Sequence, residues 1–293
     1  MSSTSPKITC AILCYNYGRF LGQAIDSCLD QTLDASLYEV LVIDDGSTDE
    51  TPEVCAAYGD RIRVSRTANQ GFPASLGRAV TEARGEYVIL LDADDYFLPD
   101  KLELFDAAFR NGAEFVVNGH EVITEDSPER VYGEGGQTST IGFRKAPSLD
   151  VLPVNNELPF HIIGKAFGDK FIPAPLTIYR VHGESMTKRG GFRHAKYFAD
   201  RFRECHLKCV ELLDKPGWSA KRAELLKAAA HWRTEEVRER INSRIAERDR
   251  LKAFVCCITA GRVLADEGVG ALRIWRTVAR GILWSTGVHW RYR

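Results

Sequence analysis

Residues Tyr87-Val88-Ile89-Leu90-Leu91-Asp92-Ala93-Asp94-Asp95 decide how this chain is read. Five apolar positions bounded by Gly85 and an acidic turn have the pattern of a strand buried on both faces, the kind found inside parallel sheets. Three carboxylates at its carboxyl end cannot share that burial, so they are expected to face a crevice. In open α/β sheets the crevice outside the strand carboxyl ends is where ligands bind. Hard oxygen ligands crowded together call for a counter-cation, and Mg²⁺ or Mn²⁺ beside a substrate diphosphate is a common solution. The plainer reading has these acids cap the next helix. That helix is expected to begin at Pro99, which places the acids too far upstream to reach its first amides.

Working outward, Ile8 to Leu13 reads as a first strand, followed by a turn at Tyr15-Asn16-Tyr17-Gly18 and a helical stretch from Phe20 to Gln31. Glu39 to Ile43 is a second buried strand and ends in Asp44-Asp45-Gly46. Ser47-Thr48-Asp49-Glu50 has the form of a capping box, which would assign the helix cap to Ser47 and leave Asp44 and Asp45 free for ligand. A short strand at Arg61 to Ser65, a helix from about Gly71 to Arg84, a helix from Pro99 to Arg110 and a strand at Glu114 to Gly119 complete the series. Strands alternating with helices predict βαβ units and an α/β fold with a mostly parallel sheet flanked by helices. The acids after the second and fourth strands are then expected to face one crevice.

Beyond His120 the pattern changes. Glu125 to Ser139 is polar and aperiodic and reads as a loop, either a cover for the site or plain surface. Phe143-Arg144-Lys145 reads as a strand end, Glu157 to Phe167 as a short helix, and Lys170 to Ile172 and Leu176 to Val181 as two strands separated by Pro173 and Pro175. From Gly190 the periodicity is helical, over 195–214, 220–250, 251–266 and 270–284, which divides the chain into 1–189 and a helical appendage, 190–293. The net charge of −1 hides an asymmetry: 22 Lys and Arg against 12 Asp and Glu lie in the appendage. An acidic front suits cation-bridged handling of an anionic substrate, and a basic back suits an anionic surface.

The eight cysteines form no disulfide framework by their spacing and read as buried thiols. His194, Cys205, His206 and Cys209 fit helix spacing and lack the paired knuckle of a zinc site. The first residues have no charged leader with an apolar core, and no run of about 18 apolar residues occurs. The expected location is cytoplasmic, with peripheral contact to the inner face of the membrane as an option. Phosphate-loop, dinucleotide-fingerprint and nucleophile-elbow motifs are absent. Nucleic acid is not an expected partner.

Together, Ile8 to Asn16, Val42-Ile43-Asp44-Asp45-Gly46-Ser47-Thr48-Asp49, Asn69-Gln70-Gly71 and Leu91-Asp92-Ala93-Asp94-Asp95 resemble the family-2 glycosyltransferases, inverting enzymes of the GT-A fold. Tyr179-Arg180-Val181-His182-Gly183-Glu184-Ser185-Met186-Thr187 resembles the stretch that closes that domain. The resemblance implies transfer of a sugar from a nucleotide-diphosphate sugar, UDP-linked by preference, to a glycan or lipid-linked acceptor in surface polysaccharide synthesis, with Mn²⁺ or Mg²⁺ on the diphosphate. By position it implies that Tyr15 stacks on the base, that Asp45 accepts a hydrogen bond from it, and that Asn16, Asp44 and Asn69 line the nucleotide site. Asp94 would contact the ribose and assist the metal, Asp95 would be the nearest metal ligand with Asp92 supporting, and His182 would approach the metal or diphosphate. The family's Glu-Asp pair is missing where the chain reads Asn155-Asn156-Glu157-Leu158. Glu157 is therefore the candidate base, with Asp150 and Asp169 behind it. The family's Ala-Arg-Asn ending is also missing from the helix after Gly71, and Arg78 is the displaced candidate for a phosphate contact.

Two other classes fit parts of the pattern: a GT-A-fold binding or scaffold module without transfer activity, and a sugar nucleotidyltransferase, which the absence of a Gly- and Arg-rich loop after the first strand disfavours. The tail, 270–293, is a basic amphipathic stretch carrying Arg273, Arg276 and Arg280 on one face and Ile274, Val278 and Ile282 on another. It is expected to meet either an anionic membrane surface or protein, the latter being the catalytic domain or a second subunit of a homo-oligomer.

Overall fold

The structure is a computed structural model that describes residues 5–124, 127–183, 185, 192–247, 255–257, 260–261 and 278–279. The chain divides into two compact units, Met1–Ser185 and Met186–Arg293.

The first unit is a mixed sheet covered by helices. Strands β1 (Ile8–Cys14), β2 (Tyr38–Asp44), β3 (Arg63–Arg66) and β4 (Tyr87–Asp92) alternate with helices α1 (Gly18–Leu29), α2 (Thr51–Tyr58) and α3 (Phe72–Glu82). These strands are all parallel, in the order β3-β2-β1-β4. Strand order reverses between β1 and β4, and such a switch point opens a crevice at the carboxyl ends. Register puts Cys14 beside Asp44 and Leu13 beside Asp92, so the acid-bearing ends of β2 and β4 flank the end of β1.

All seven β1 residues are buried, as the unbroken apolar run requires. Ile8, Cys10 and Ile12, with Ile89 and Leu91, pack under Leu21, Ile25 and Cys28 of α1 and under Leu102 and Phe105 of α4 (Lys101–Arg110). The opposite face is closed by Leu76, Ala79 and Val80 of α3, all fully buried.

Beyond β4 the sheet is mixed, with one parallel pairing among antiparallel ones. Strand β5 (Tyr96–Phe97) precedes α4, and β6 (Phe115–Thr124), β7 (Ser127–Gly133) and β8 (Ile141–Arg144) follow it. Strand β8 runs antiparallel between β4 and β6, and β7 forms a hairpin with β6. The polar stretch after Glu125 is thus partly strand. Its Val131 and Tyr132 are adjacent and both exposed, so no alternation announces a strand. Helices α5 (Lys145–Val151) and α6 (His161–Phe167) lead to β9 (Asp169–Val181), a single strand where two were expected, parallel to β6. It passes Pro173 and Pro175 by shifting register against β6 at Asn118 to His120, an irregularity that tolerates the missing proline donors.

The second unit is helical, with α7 (Phe192–Leu212) and α8 (Arg222–Ala246) packed together. Val278 packs on Val237, Ile241, Cys257 and Ala260. The segments expected at 251–266 and 270–284 otherwise lie outside the described residues. All eight cysteines are unbridged. Among the described residues no helix is long and apolar enough to cross a membrane.

Candidate functional site

The site forms where β1, β2 and β4 end. After β1 the chain turns at Asn16, a non-glycine residue at φ 56°, a conformation asparagine tolerates. Its backbone N–H donates to Ser47 Oγ at 2.9 Å, and its side-chain Oδ1 accepts from the Thr48 N–H at 2.8 Å. Asn16 therefore splices the β1 and β2 ends together, and Tyr15 beside it keeps 45% of its surface exposed. An aromatic ring left in solvent at a switch point is available for stacking, whereas a core-packed tyrosine would be covered.

The expected capping box does not form. Glu50 occupies the α2 cap position without a side-chain bond, while Asp49 accepts from the N–H groups of Thr51 and Gly18 at 3.1 and 2.8 Å. Ser47 is taken up by Asn16 and by Asp44, whose Oδ1 accepts the Ser47 N–H at 2.9 Å. Asp44, 1% exposed, also pairs with Arg66 at 3.1 Å. Asp45 accepts the N–H groups of Gln70 and Gly71 at 2.9 and 2.7 Å, the point where α3 begins. Both acids thus have structural work, contrary to the expectation that capping by Ser47 leaves them free. Asp45 ties the loop carrying the exposed Asn69 to the β2 end. Gly46 lets that loop close: at φ +80°, a side chain there would meet Asn69 N at 2.6 Å.

Around Asp92 to Asp95 the carboxylates separate into different environments. Asp94 Oδ2 lies 3.0 Å from His182 Nε2, and the His182 ring is wedged against Tyr17 and Phe20. Asp95 is fully buried. Its Oδ2 accepts the Ser139 hydroxyl at 2.5 Å and its Oδ1 accepts the Arg180 N–H at 2.8 Å. Burial, then the Asp94 carboxylate, push Asp95 up to about 8, against the Ser139 and Arg180 bonds that lower it. Asp95 was expected to be the nearest metal ligand, yet both of its oxygens are committed to the protein. It fastens β4 to β9, and Asp94, with 16% of its side chain exposed, is the more accessible acid, its partner His182 being buried.

Asp92 is raised well above the ordinary carboxyl range, by burial first and then by Asp94, Asp95 and Glu157, with the Thr138 hydroxyl opposing. That effect places Glu157, itself buried, within electrostatic reach of the strand end. The other two base candidates are differently placed. Asp169 is aligned with Phe115, hence with Phe143 and Val88, at the opposite end of the sheet. Asp92 lies four residues beyond Val88, about 13 Å along the strand. Asp150 belongs to α5, which also starts at that far edge, where the Lys145 N–H donates to Glu86 O. Arg78 is no phosphate ligand either: it donates to Ser65, Thr67 and Glu82 and holds β3.

Several residues here escaped the sequence reading. Ser139 Oγ accepts the Asp92 N–H at 3.0 Å while donating to Asp95. Lys101, fully buried, donates to Ser139 O at 2.7 Å and Thr177 Oγ1 at 2.9 Å, with its ammonium over the Phe97 ring. Burial pushes its pKa well below normal. A signal did exist, because Lys101 falls four residues before Phe105 and eight before Phe109, on the apolar stripe of α4. Ser139 sits in an aperiodic stretch and had none.

Among the described residues no three His, Cys, Asp or Glu side chains gather as a preformed metal cage. One or two protein ligands with the remainder from substrate phosphates and water is the usual arrangement for a small divalent cation at a diphosphate. A carboxylate and an imidazole nitrogen at Asp94 and His182 fit that scheme.

The family model described as Glycosyl transferase family 2 matches residues 9–172. An uncharacterised glycosyltransferase of Nostoc is 35% identical over 147 residues, covering 49% of this chain and 44% of its own. A putative glycosyltransferase of Bacillus subtilis, EpsH, is 26% identical over 46% of this chain and 39% of its own length. A chondroitin synthase of Pasteurella multocida is 39% identical over 102 residues, 34% of this chain and 10% of that protein. The chain thus spans less than half the length of these curated relatives. Among solved structures, TarS of S. aureus in complex with UDP-GlcNAc aligns over 98% of this chain and 94% of its own, with TM-score 0.64 and 14% identity. A mannosyltransferase of Pyrobaculum calidifontis in complex with GDP-Man and Mn²⁺ aligns over 97% and 86%, with TM-score 0.51 and 17% identity.

Proposed function

We infer, because this chain belongs to glycosyl transferase family 2, that it moves a sugar from a nucleotide-diphosphate sugar to a glycan or lipid-linked acceptor. The observation that carries the reading is the crevice at the β1–β4 switch point, where an exposed Tyr15, the tethered Asp45 loop and the Asp94–His182 pair converge. Tyr15 stacks on the base, and Asn16, Asp44, Asp45 and Asn69 shape the nucleotide site, the buried ones by fixing loops. Asp94 and His182 hold Mn²⁺ or Mg²⁺. Such a cation, when bound, neutralises charge that develops on the departing nucleoside diphosphate. Asp92 supports them from a hydrogen-bonded position on β4, and Asp95 keeps the turn in place.

In an inverting transfer the acceptor hydroxyl attacks the anomeric carbon in line, its proton passing to a general base as the bond to the diphosphate breaks. Glu157 takes that proton in this reading, supported by its burial and its effect on Asp92, whereas Asp169 and the start of α5 lie at the far edge of the sheet. A UDP-sugar is the favoured donor, as in the TarS complex with UDP-GlcNAc, with a GDP-sugar as the comparison from the mannosyltransferase. A role in polysaccharide assembly has support from the chondroitin synthase relative. Packing of Val278 on the helical unit favours protein contact for that part of the tail.

A thermal-shift panel of UDP- and GDP-sugars with and without Mn²⁺ tests the reading. Stabilisation by one nucleotide class that requires the cation supports it, and no response from any sugar nucleotide contradicts it. Donor binding without transfer to any glycan acceptor would support the scaffold alternative.

A further inference from the structure

The first unit carries an exposed aromatic ring that donor binding does not employ. Tyr132 of β7 keeps 50% of its surface in solvent. It is nonetheless fixed in place, because its hydroxyl donates to Pro173 O of β9 at 3.0 Å. The ring crosses β6 at Gly119, where a Cβ would come within 2.7 Å of Tyr132 Cε2 and Oη and within 2.6 Å of Pro173 O. Gly119 is thus what lets the ring lie on the sheet, and the ring in turn covers Gly119.

The register says where this ring stands. Val88, Phe143 and Phe115 are aligned across β4, β8 and β6, and the stacked rings of Phe115 and Phe143 mark one face of the sheet. Alternation puts Asp92, four residues beyond Val88, and Gly119, four beyond Phe115, on that same face. Strands β4 and β6 both run antiparallel to β8 and so point the same way. The two positions therefore share a height, two strand spacings apart, roughly 10 Å. In the strand order the β1 and β2 ends, which carry Tyr15 and Asp45, lie on the other side of β4. Tyr132 accordingly flanks Asp92 on the side away from the nucleotide residues.

Its border is polar. Arg130, two positions earlier on β7, shares the face of Tyr132, and Glu121 on β6 is the register partner of Tyr132. Arg130 Nη1 donates to Glu121 at 2.7 Å, with 58% and 26% of the two side chains exposed. An ion pair this open contributes little to stability. It leaves further guanidinium donors and carboxylate lone pairs for a ligand. A fixed flat ring bordered by donors and acceptors matches a pyranose, which has an apolar face of C–H groups and a rim of hydroxyls.

We propose that Tyr132 stacks against a sugar unit of the acceptor glycan, with Arg130 and Glu121 bonding that unit's hydroxyls, an assignment that rests on the transferase reading above. The offset from Asp92 is the reach of a disaccharide. The unit on Tyr132 is then one removed from the reacting end, and the platform favours chains over single sugars.

The test is binding of the full chain, with and without UDP and Mn²⁺, to an array of neutral, N-acetylated and uronic-acid glycans from monosaccharide to hexasaccharide. The best-bound member is then titrated by calorimetry. The wild type should prefer oligosaccharides to their monosaccharides. Tyr132→Ala should weaken binding about fivefold or more, the loss expected of one aromatic contact. Val131→Ser, on the opposite face of β7, should leave it unchanged. Tyr132→Phe keeps the ring and gives up the bond to Pro173 O, so it must bind better than Tyr132→Ala even if both melt below the wild type. A thermal-shift panel of sugar nucleotides on the same proteins separates the platform from the transferase reading. Weakened glycan binding by Tyr132→Ala with the donor response intact supports the platform. Tyr132-dependent glycan binding with no donor response in the wild type removes the transferase reading and leaves a glycan site. Four results overturn the platform: no glycan bound by the wild type in either condition, undiminished binding by Tyr132→Ala, equal weakness of Tyr132→Phe and Tyr132→Ala, or an equal loss in Val131→Ser.

Discussion

Replacing Asp95 with alanine should destabilise the first unit far more than replacing Asp94, although the two acids are adjacent. Asp95 is fully buried and accepts the Arg180 N–H and the Ser139 hydroxyl. Its removal strands two buried donors, each worth about 1–3 kcal/mol when left unsatisfied, or about 4 kcal/mol together. For a domain of this size that corresponds to a fall of about 8–16 °C in Tm. Asp94 is different: its side chain is 16% exposed and its recorded partner is His182 at 3.0 Å. Its loss should cost about 1 kcal/mol, the net value of one hydrogen bond. Melting curves of the full chain for Asp95→Ala and Asp94→Ala, with Mn²⁺-linked sugar-nucleotide binding measured on each, decide the matter. If Asp95→Ala melts with the wild type and loses only cation-linked binding, the assignment of Asp95 as a tether is wrong.

Three further outcomes follow from the same geometry. Glu157→Gln should retain donor binding while transfer falls by about a hundredfold or more; transfer at the wild-type rate would move the base elsewhere. Gly46→Ala should lower Tm and weaken donor binding together. An added Cβ at φ +80° meets Asn69 N at 2.6 Å and Thr67 O at 2.9 Å, both backbone atoms, and strain of this kind costs about 1–3 kcal/mol. Glu39→Gln should flatten the acid limb of stability. Burial raises the Glu39 carboxyl, but Arg63, the Arg84 N–H and the Thr9 hydroxyl outweigh it and hold it below its usual value. A depressed carboxyl contributes stability above its unfolded pKa and loses it as pH falls through the folded value. The Tm gap between wild type and variant should therefore be widest near neutral pH and narrow below about pH 4.

How much of this was legible depended on which force wrote each signal. The parallel half of the sheet follows from continuous apolar runs, because burial on both faces leaves no polar alternation in β1, β2 or β4. Strand ends bearing Asp44 and Asp92 came with it, since parallel topology puts carboxyl ends together. The mixed half was harder: β7 is a polar strand paired, among the described residues, only with β6, and β9 carries two prolines that its irregular register absorbs. Site residues divided in the same way. Positions were readable, but side-chain commitments were not, because Asp44, Asp45 and Asp95 bond to backbone groups and hydroxyls 3 to 85 residues away. No local spacing encodes those bonds. The capping-box pattern at Ser47 misled for that reason: Asn16, 31 residues upstream, takes the hydroxyl.

In the proposed function a sugar nucleotide binds at the β1–β4 switch point with a divalent cation held by Asp94 and His182. Calorimetric titration of the sugar nucleotide that stabilises the protein best, with and without Mn²⁺, tests it on wild type and Asp94→Asn. Mn²⁺ should tighten binding about tenfold or more in the wild type, the scale of one charge-assisted contact, and should leave Asp94→Asn unaffected. Equal affinity with and without Mn²⁺ in the wild type, or an undiminished Mn²⁺ effect in Asp94→Asn, would contradict it.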